Sequence, residues 1–228
     1  MEKTGSLVEI LWQEETLQLL PQKAIYWPRE ETLFVADPHF GKSASFRKYG
    51  IPVSEKTTED DCMRLEQILK HTHASRLIFL GDFFHARQSK TQVLRNLLFL
   101  WREEFHDLEI HLIRGNHDLK AGDPWAELKI KCHDEPWPLA KWDCRHHPIE
   151  SAEKPFFAGH LHPGFTLNGQ GKSRLRNPCF QINQDRIIFP AFGLFTGLKN
   201  IVPAPGDGIF LTNGKEIVGL PTNNSFLK

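Results

Sequence analysis

The sequence predicts an α/β fold, on three observations. Through the first half, short strand-like apolar runs alternate with helical patterns, the signature of parallel βαβ units. In the second half, Pro and Gly recur at short intervals between further strand-like runs, so a β-rich continuation is expected. Several of the apolar runs end in Asp, Asn or His, at the carboxyl ends of strands where such sheets collect ligands.

The elements follow in order. TLFVA (32–36) is apolar and β-branched and reads as a strand. A helix is expected near 57–70, where Cys62, Leu65, Ile68 and Leu69 recur at helical spacing. RLIFL (76–80) is the second strand. KTQVLRNLLFLWREEF (90–105) is an amphipathic helix with Leu94, Leu97, Leu98, Trp101 and Phe105 on one face and Ser89 as its N-cap. LEIHLI (108–113) is the third strand. Later, WDCR, PFFAG, CFQI, RIIFPAF, GIFL and KEIVG read as strands, and 146–155 and 163–179 as loops. No repeat, low-complexity tract or compositional break divides the chain, so one domain over 1–228 is expected.

Composition excludes some classes. Lys+Arg and Asp+Glu both number 28, so there is no global attraction to nucleic acid or anionic membrane. The longest apolar stretches fall far short of the ~20 residues a spanning helix needs. Glu9 interrupts the only hydrophobic run of the N-terminus, so no signal peptide is read there. Cys62, Cys132, Cys144 and Cys179 are scattered, without a C-x-x-C pair. Reduced thiols and a cytoplasmic location are the expectation.

The polar residues at the strand ends carry the chemistry. Asp37-Pro38-His39 follows the first strand, Gly81-Asp82-Phe83-Phe84-His85 the second, and Gly115-Asn116-His117-Asp118 the third. WDCR then runs into His146-His147-Pro148, and PFFA into Gly159-His160-Leu161-His162. Each piece alone reads as a turn with a surface histidine. GHLH is more specific, because alternation along an extended chain would put both imidazoles on one side. Five such endings, in an order that one sheet edge can gather, favour a site. Carboxylate, amide oxygen and imidazole together suit Mn²⁺, Fe²⁺, Zn²⁺ or Co²⁺. The ligands are too many for one four-coordinate ion. Two ions about 3.5–4 Å apart, bridged by a carboxylate, would use them and bring the pKa of water toward about 7.

In this order the motifs D-x-H, G-D-x-x-[DH], G-N-H-[DE], a lone His and G-H-x-H resemble those of the calcineurin-like metallophosphoesterase superfamily, and they span 37 to 162. The resemblance implies a four-layer αββα sandwich with a dinuclear site at one edge. It implies that Asp37, His39 and His162 bind one metal, that Asp82 bridges, and that Asn116, a strand-end histidine and His160 bind the other. The histidine is His146 or His147, with His146 favoured by the H-x-P arrangement common in the superfamily. His117 would contact the phosphate and protonate the leaving group. His85 occupies a position near the metals where the family often carries a polar residue. Manganese is the first choice of metal, with iron, zinc and cobalt as alternatives.

A narrower resemblance covers nearly the whole chain. YWPREETLFVADPHFGKSASFRKYGIPV and the late NPCF…PAFGLFTG are similar to the PdeM family of bacterial phosphoesterases, associated with a DNA ligase in the DNA damage response. It implies a DNA endonuclease, and a DNA ligase/helicase repair system as partner. Pro38 departs from the family's Asp-Leu-His, which removes a backbone N–H and leaves both ligands. Lys42, Arg47, Lys48, Arg87, Lys120, Lys172, Arg174 and Arg176 follow the motifs and would form a basic rim if their loops share the metal face. Phe40 and Phe46 offer rings for base stacking or for the core. Three functions stand open: a metal-dependent nuclease acting on DNA, the same chemistry on a small phosphoester or nucleotide, and a non-catalytic metal-holding module. An intact His117 argues against the last.

Overall fold

The structure, a computed structural model, describes residues 7–48, 50, 56–169 and 174–220. In chain order its strands and helices are β1 (Val8–Trp12), β2 (Glu15–Leu20), β3 (Ala24–Trp27), β4 (Thr32–Val35), α1 (Lys42–Lys48), α2 (Lys56–Thr72), β5 (Arg76–Leu80), α3 (Gln92–Glu104), β6 (Glu109–Ile113), α4 (Asn116–Ala121), β7 (Ile130–His133), β8 (Trp137–Leu139) and β9 (Trp142–Cys144). Then come β10 (Phe156–Ala158), β11 (Pro163–Asn168), β12 (Arg174–Ile182), β13 (Arg186–Ile188), β14 (Lys199–Asn200), β15 (Gly208–Thr212) and β16 (Ile217–Gly219).

Two sheets form one mixed α/β domain. The first runs β1-β2-β3-β4-β5-β6-β7, antiparallel up to β4 and parallel from β4 to β7. The second runs β14-β11-β12-β13-β10-β9-β8, with β15 and β16 joined to β12. Within it, β9, β10 and β13 are parallel neighbours.

The central strands are apolar on both faces because both faces are covered. Leu33, Val35, Leu77, Phe79, Ile110 and Leu112 pack outward against Leu65, Ile68 and Leu69 of α2 and Leu94, Leu98 and Trp101 of α3. Phe34, Ile78, Leu80 and Ile113 point the other way, into a core shared with Trp142, Phe157, Phe180 and Ile187 of the second sheet. Rings join the sheets there: Trp142 lies 5.4 Å from Trp12 and 4.8 Å from Trp27, and Phe157 lies 5.1 Å from Trp12. Among the described residues, the four α-helices lie between Lys42 and Ala121. Among the described residues, the small apolar clusters around Phe156 and Ile188 and around Cys179 and Ile209 are completed by Ile149, Leu161, Phe165 and Ile201 from loops and from β11.

The two sheets also meet at one edge. Phe192 N donates to the Ala36 carbonyl at 2.7 Å, and Ala36 bridges Ala191 in parallel. Phe189 N donates to the Ala158 carbonyl at 2.8 Å. The carboxyl ends of β4, β5, β6, β9 and β10 therefore open onto a common edge.

Several expectations need correction. Within the expected loop 163–179, residues 163–168 and 174–179 are strand instead: β11 and β12 pair antiparallel, which polar, Arg-rich alternation disguised. Thr91, not Ser89, caps α3, accepting the Leu94 N–H at 3.2 Å; Ser89 is buried and its hydroxyl meets that of Ser45 at 2.9 Å. The meander β1–β3 and the short strands β7 and β8 were not anticipated.

Candidate metal centre

The chain must turn sharply after each central strand to bring short polar side chains back over the sheet edge. Five nominated residues have left-handed backbone: Asp37 (φ 51°), His39 (48°), Asp82 (50°), His160 (67°) and His162 (47°). Each costs roughly 1–2 kcal/mol for a residue with a Cβ, and such outliers cluster where function over-determines the backbone. Backbone bonds tie the first two turns together: His39 N donates to the Asp82 carbonyl at 3.0 Å, Phe40 N to the Phe83 carbonyl at 2.8 Å and His85 N to the Phe40 carbonyl at 3.4 Å.

Two of the motif glycines are explained by close approach. A Cβ at Gly81 (φ +85°) would stand 1.9 Å from His146 Nδ1. At Gly115 it would stand 2.3 Å from Asp82 Oδ1.

Asp82 lies at the middle. Its Oδ2 is 3.8 Å from His39 Nε2, and its Oδ1 is 3.5 Å from His146 Nε2. On the Oδ2 side, His39 Nε2 faces His162 Nε2 at 3.3 Å, and His162 Nε2 is 3.5 Å from Asp37 Oδ2. On the Oδ1 side, His146 Nε2 lies 3.1 Å from Asn116 Oδ1 and 3.1 Å from His160 Nδ1. The structure thus brings Asp37, His39, Asp82, Asn116, His146, His160 and His162 into one cluster with two halves. His160 and His162 enter different halves, and the stretch between β10 and β11 is a bend. The expected extended chain with both rings on one side is not what places them.

His146 and His147 separate clearly. His146 is fully buried, and its Nδ1 lies 3.2 Å from the Leu80 carbonyl. Donation there leaves the Nε2 lone pair aimed at Asn116, Asp82 and His160. His147 is half-buried and puts Nδ1 2.6 Å from Glu135 Oε1. His147 is still within reach of His146 and His160.

The electrostatics fit a divalent cation. Asp37 is fully buried; its Oδ2 accepts the His160 N–H at 2.7 Å, while Oδ1 has no hydrogen-bond partner among the described residues. Burial, then Asp82, holds the Asp37 carboxyl well above its ordinary range, and burial raises Asp82 as well. Burial pushes His146 down to about 3 and His162 to about 4, and His39 lower still. Neutral imidazoles are metal ligands, and two buried carboxyls short of positive charge are stabilised as carboxylates by a cation.

A family model, that of the calcineurin-like phosphoesterases, matches residues 31–206. The chain belongs to that family. The crystal structure of Pseudomonas putida nuclease MPE matches this phosphoesterase at TM-score 0.82 with 41% identity, over 94% of this chain and 100% of that one. YfcE, a phosphoesterase from E. coli, matches at TM-score 0.40 with 16% identity, over 84% of this chain and 99% of that one. No curated protein sequence matches.

Two residues given no role from the sequence hold the turns of the cluster. Glu135, in the loop between β7 and β8, accepts the backbone N–H groups of His146 at 2.8 Å and His147 at 2.9 Å, and so holds the turn that delivers His146. Nothing in the local sequence marks it. Asp118 accepts Phe83 N at 2.9 Å, Phe84 N at 3.4 Å and Gly115 N at 2.9 Å, so it locks the GDFF turn to the GNHD turn. Its place inside GNHD was the available signal.

His117 stands beside the cluster. Its backbone N–H donates to Asp82 Oδ1 at 2.9 Å, its Nδ1 meets the His85 carbonyl, and its Nε2 is 3.9 Å from Asp82 Oδ2. His85 stacks on it at 5.0 Å. Of the expected basic rim, Lys42 lies close enough to Asp37 and Asp82 to feel both charges, and Arg87, Lys120, Arg174 and Arg176 are exposed. Lys172 and the side chain of Lys48 lie outside the described residues. Phe40 is core, whereas Phe46 is half-buried, edge-on to Phe195 at 5.2 Å.

Proposed function

We propose that the protein is a dinuclear-metal-dependent phosphodiesterase that cleaves DNA internally. In this reading Asp37, His39 and His162 hold one cation, Asn116, His146 and His160 hold the other, and Asp82 is shared. The observation that carries it is the division of Asp82, with Oδ2 toward His39 and Oδ1 toward His146. The burial of His146 supports it over His147 as ligand. Manganese is the cation proposed, from the mixed carboxylate, amide and imidazole set. Bound divalent cations supply charge neutralisation for a phosphoester and acidify water.

The chain's own residues supply orientation and a proton. Asp118 and Glu135 fix the turns that carry Asn116 and His146. With Nδ1 held by the His85 carbonyl, His117 turns Nε2 toward the cluster. As imidazolium, His117 gives its Nε2 proton to the departing oxygen and keeps the Nδ1 proton on that carbonyl.

DNA as substrate is supported by the likeness to the Pseudomonas putida nuclease. A place beside a DNA ligase and helicase in repair rests on the family resemblance. Four free cysteines support a reducing, cytoplasmic setting.

A manganese-supplemented assay on single-stranded DNA, duplex DNA, a bis-aryl phosphate and its monoester tests the reading. DNA and the diester should be hydrolysed, a chelator should abolish both, and circular single-stranded DNA should be opened. Hydrolysis of the monoester with no DNA cleavage would favour a small-phosphoester enzyme instead.

A further inference from the structure

A second feature lies one helical turn from His117. Arg87, Lys90 and Lys120 line a cleft of about 560 Å³ between α4 and the segment after β5, with Leu119, Ala121 and Gly122. No acidic side chain lines it. Among the described residues, neither Arg87 nor Lys120 has an ion-pair partner, and both are exposed. The neighbouring Asp123 carboxylate is taken up by Arg114 at 2.7 and 2.8 Å. Lys90 is held in place: its Nζ donates to the Asp123 carbonyl at 2.8 Å and sits over the rings of Phe84 and Trp125 at 5.1 and 5.4 Å.

The position relative to the metal centre is fixed by the elements. Lys120 stands three residues after His117 on α4, ~4.5 Å along the axis and on the same face. Arg87 stands two residues after His85, whose ring stacks on His117. Phosphates recur along a nucleic-acid strand about every 3.4 Å of axis. A strand with one phosphate at the metal centre and its leaving oxygen at His117 would carry its next phosphates toward this cleft. Leu119, 70% exposed at the edge, offers an apolar surface to a sugar or base.

We propose that this cleft is a subsite for a backbone phosphate of DNA on the leaving-group side of the cleaved bond. The inference rests on the DNA reading above. It adds which surface receives the strand and on which side.

The test compares a thymidine oligonucleotide with a thymidine dinucleotide, whose single diester leaves no second phosphate for the cleft. The manganese-loaded enzyme should prefer the oligonucleotide in kcat/KM. In the doubly substituted Arg87→Ala, Lys120→Ala enzyme the ratio of the two should fall roughly tenfold. The slope of log affinity against log salt should flatten by about 0.7 for each phosphate of a single strand that the variant no longer neutralises. Should the unsubstituted enzyme prefer the oligonucleotide and the variant keep both that preference and the slope, the subsite is wrong while the DNA reading stands. Should the unsubstituted enzyme neither bind nor cut the oligonucleotide at low salt, the DNA reading itself falls, and the subsite with it.

Discussion

His117 has a third of its side chain exposed, and its backbone N–H is tied to Asp82. A group that delivers a proton needs access to the substrate, and in the proposed reading His117 gives no lone pair to a cation. His117→Ala should therefore keep its metal content. It should lose ~10²–10⁴-fold in rate on a nucleoside diester and far less on a p-nitrophenyl diester, whose leaving group needs no proton. Equal losses on both would make His117 a phosphate-positioning residue. The adjacent pair gives a second test at the same scale. If His146 is a ligand as proposed, His146→Ala should deplete metal, since it removes an imidazole whose Nδ1 lies 3.2 Å from the Leu80 carbonyl. His147→Ala should spare most of it. The reverse result, read by metal analysis, would move the assignment. Asp82→Asn should lower occupancy of both sites together, because a neutral amide bridges two cations poorly.

At the scale of elements, the turns matter more than the strands. Asp118 joins the turn after β5 to that after β6 by accepting three backbone N–H groups. Asn in its place must face at least one of those donors with its own NH₂. The cost should be about 1–3 kcal/mol, or about 2–4 °C in melting temperature per kcal/mol for a chain of this size. A melting temperature unchanged in chelator would remove Asp118 from that role. The turns are also the most legible part of the sequence, because Asp, Asn, Gly and His after an apolar run are distinctive. The hairpin β11–β12 is less so. Its residues are partly solvated, so Leu175 is 57% exposed and no clean alternation marks the pair. The N-cap of α3 lies two residues beyond the expected one because both Ser and Thr can cap a helix, and the Ser89 hydroxyl is instead engaged with that of Ser45.

For the whole molecule, metal and fold are linked. In the metal-free chain Asp37 and Asp82 are raised by burial, so their contribution to stability is complete below the ordinary carboxylate range and is lost as the pH climbs through their folded values. His146 and His162 are depressed to about 3 and about 4, so theirs is present above roughly 6.5 and is lost as the pH falls toward those values. Cations remove the first loss by keeping both carboxylates ionised. The difference in melting temperature between manganese-loaded and chelated protein should therefore widen as the pH rises from about 5 toward 8, with protons released on loading. A difference independent of pH would mean that both carboxyls are already ionised without metal.

The sequence alone determined the parallel βαβ core, the order of the five polar endings, and the donor chemistry that excludes a purely apolar site. These are local: apolar periodicity and the residues that follow it lie within a few positions of each other. Tertiary structure decided which side of Asp82 each nominated residue faces, and which of His146 and His147 is buried. It also revealed Glu135 and Asp118 as the residues that hold the turns, and Arg87 and Lys120 as walls of one cleft. Those outcomes depend on how two sheets pack around Trp12, Trp142 and Phe157, and so on residues that meet in space although more than a hundred positions separate them in the chain. Spacing along the chain carries no record of such distances, because each is set by the packing of many side chains at once.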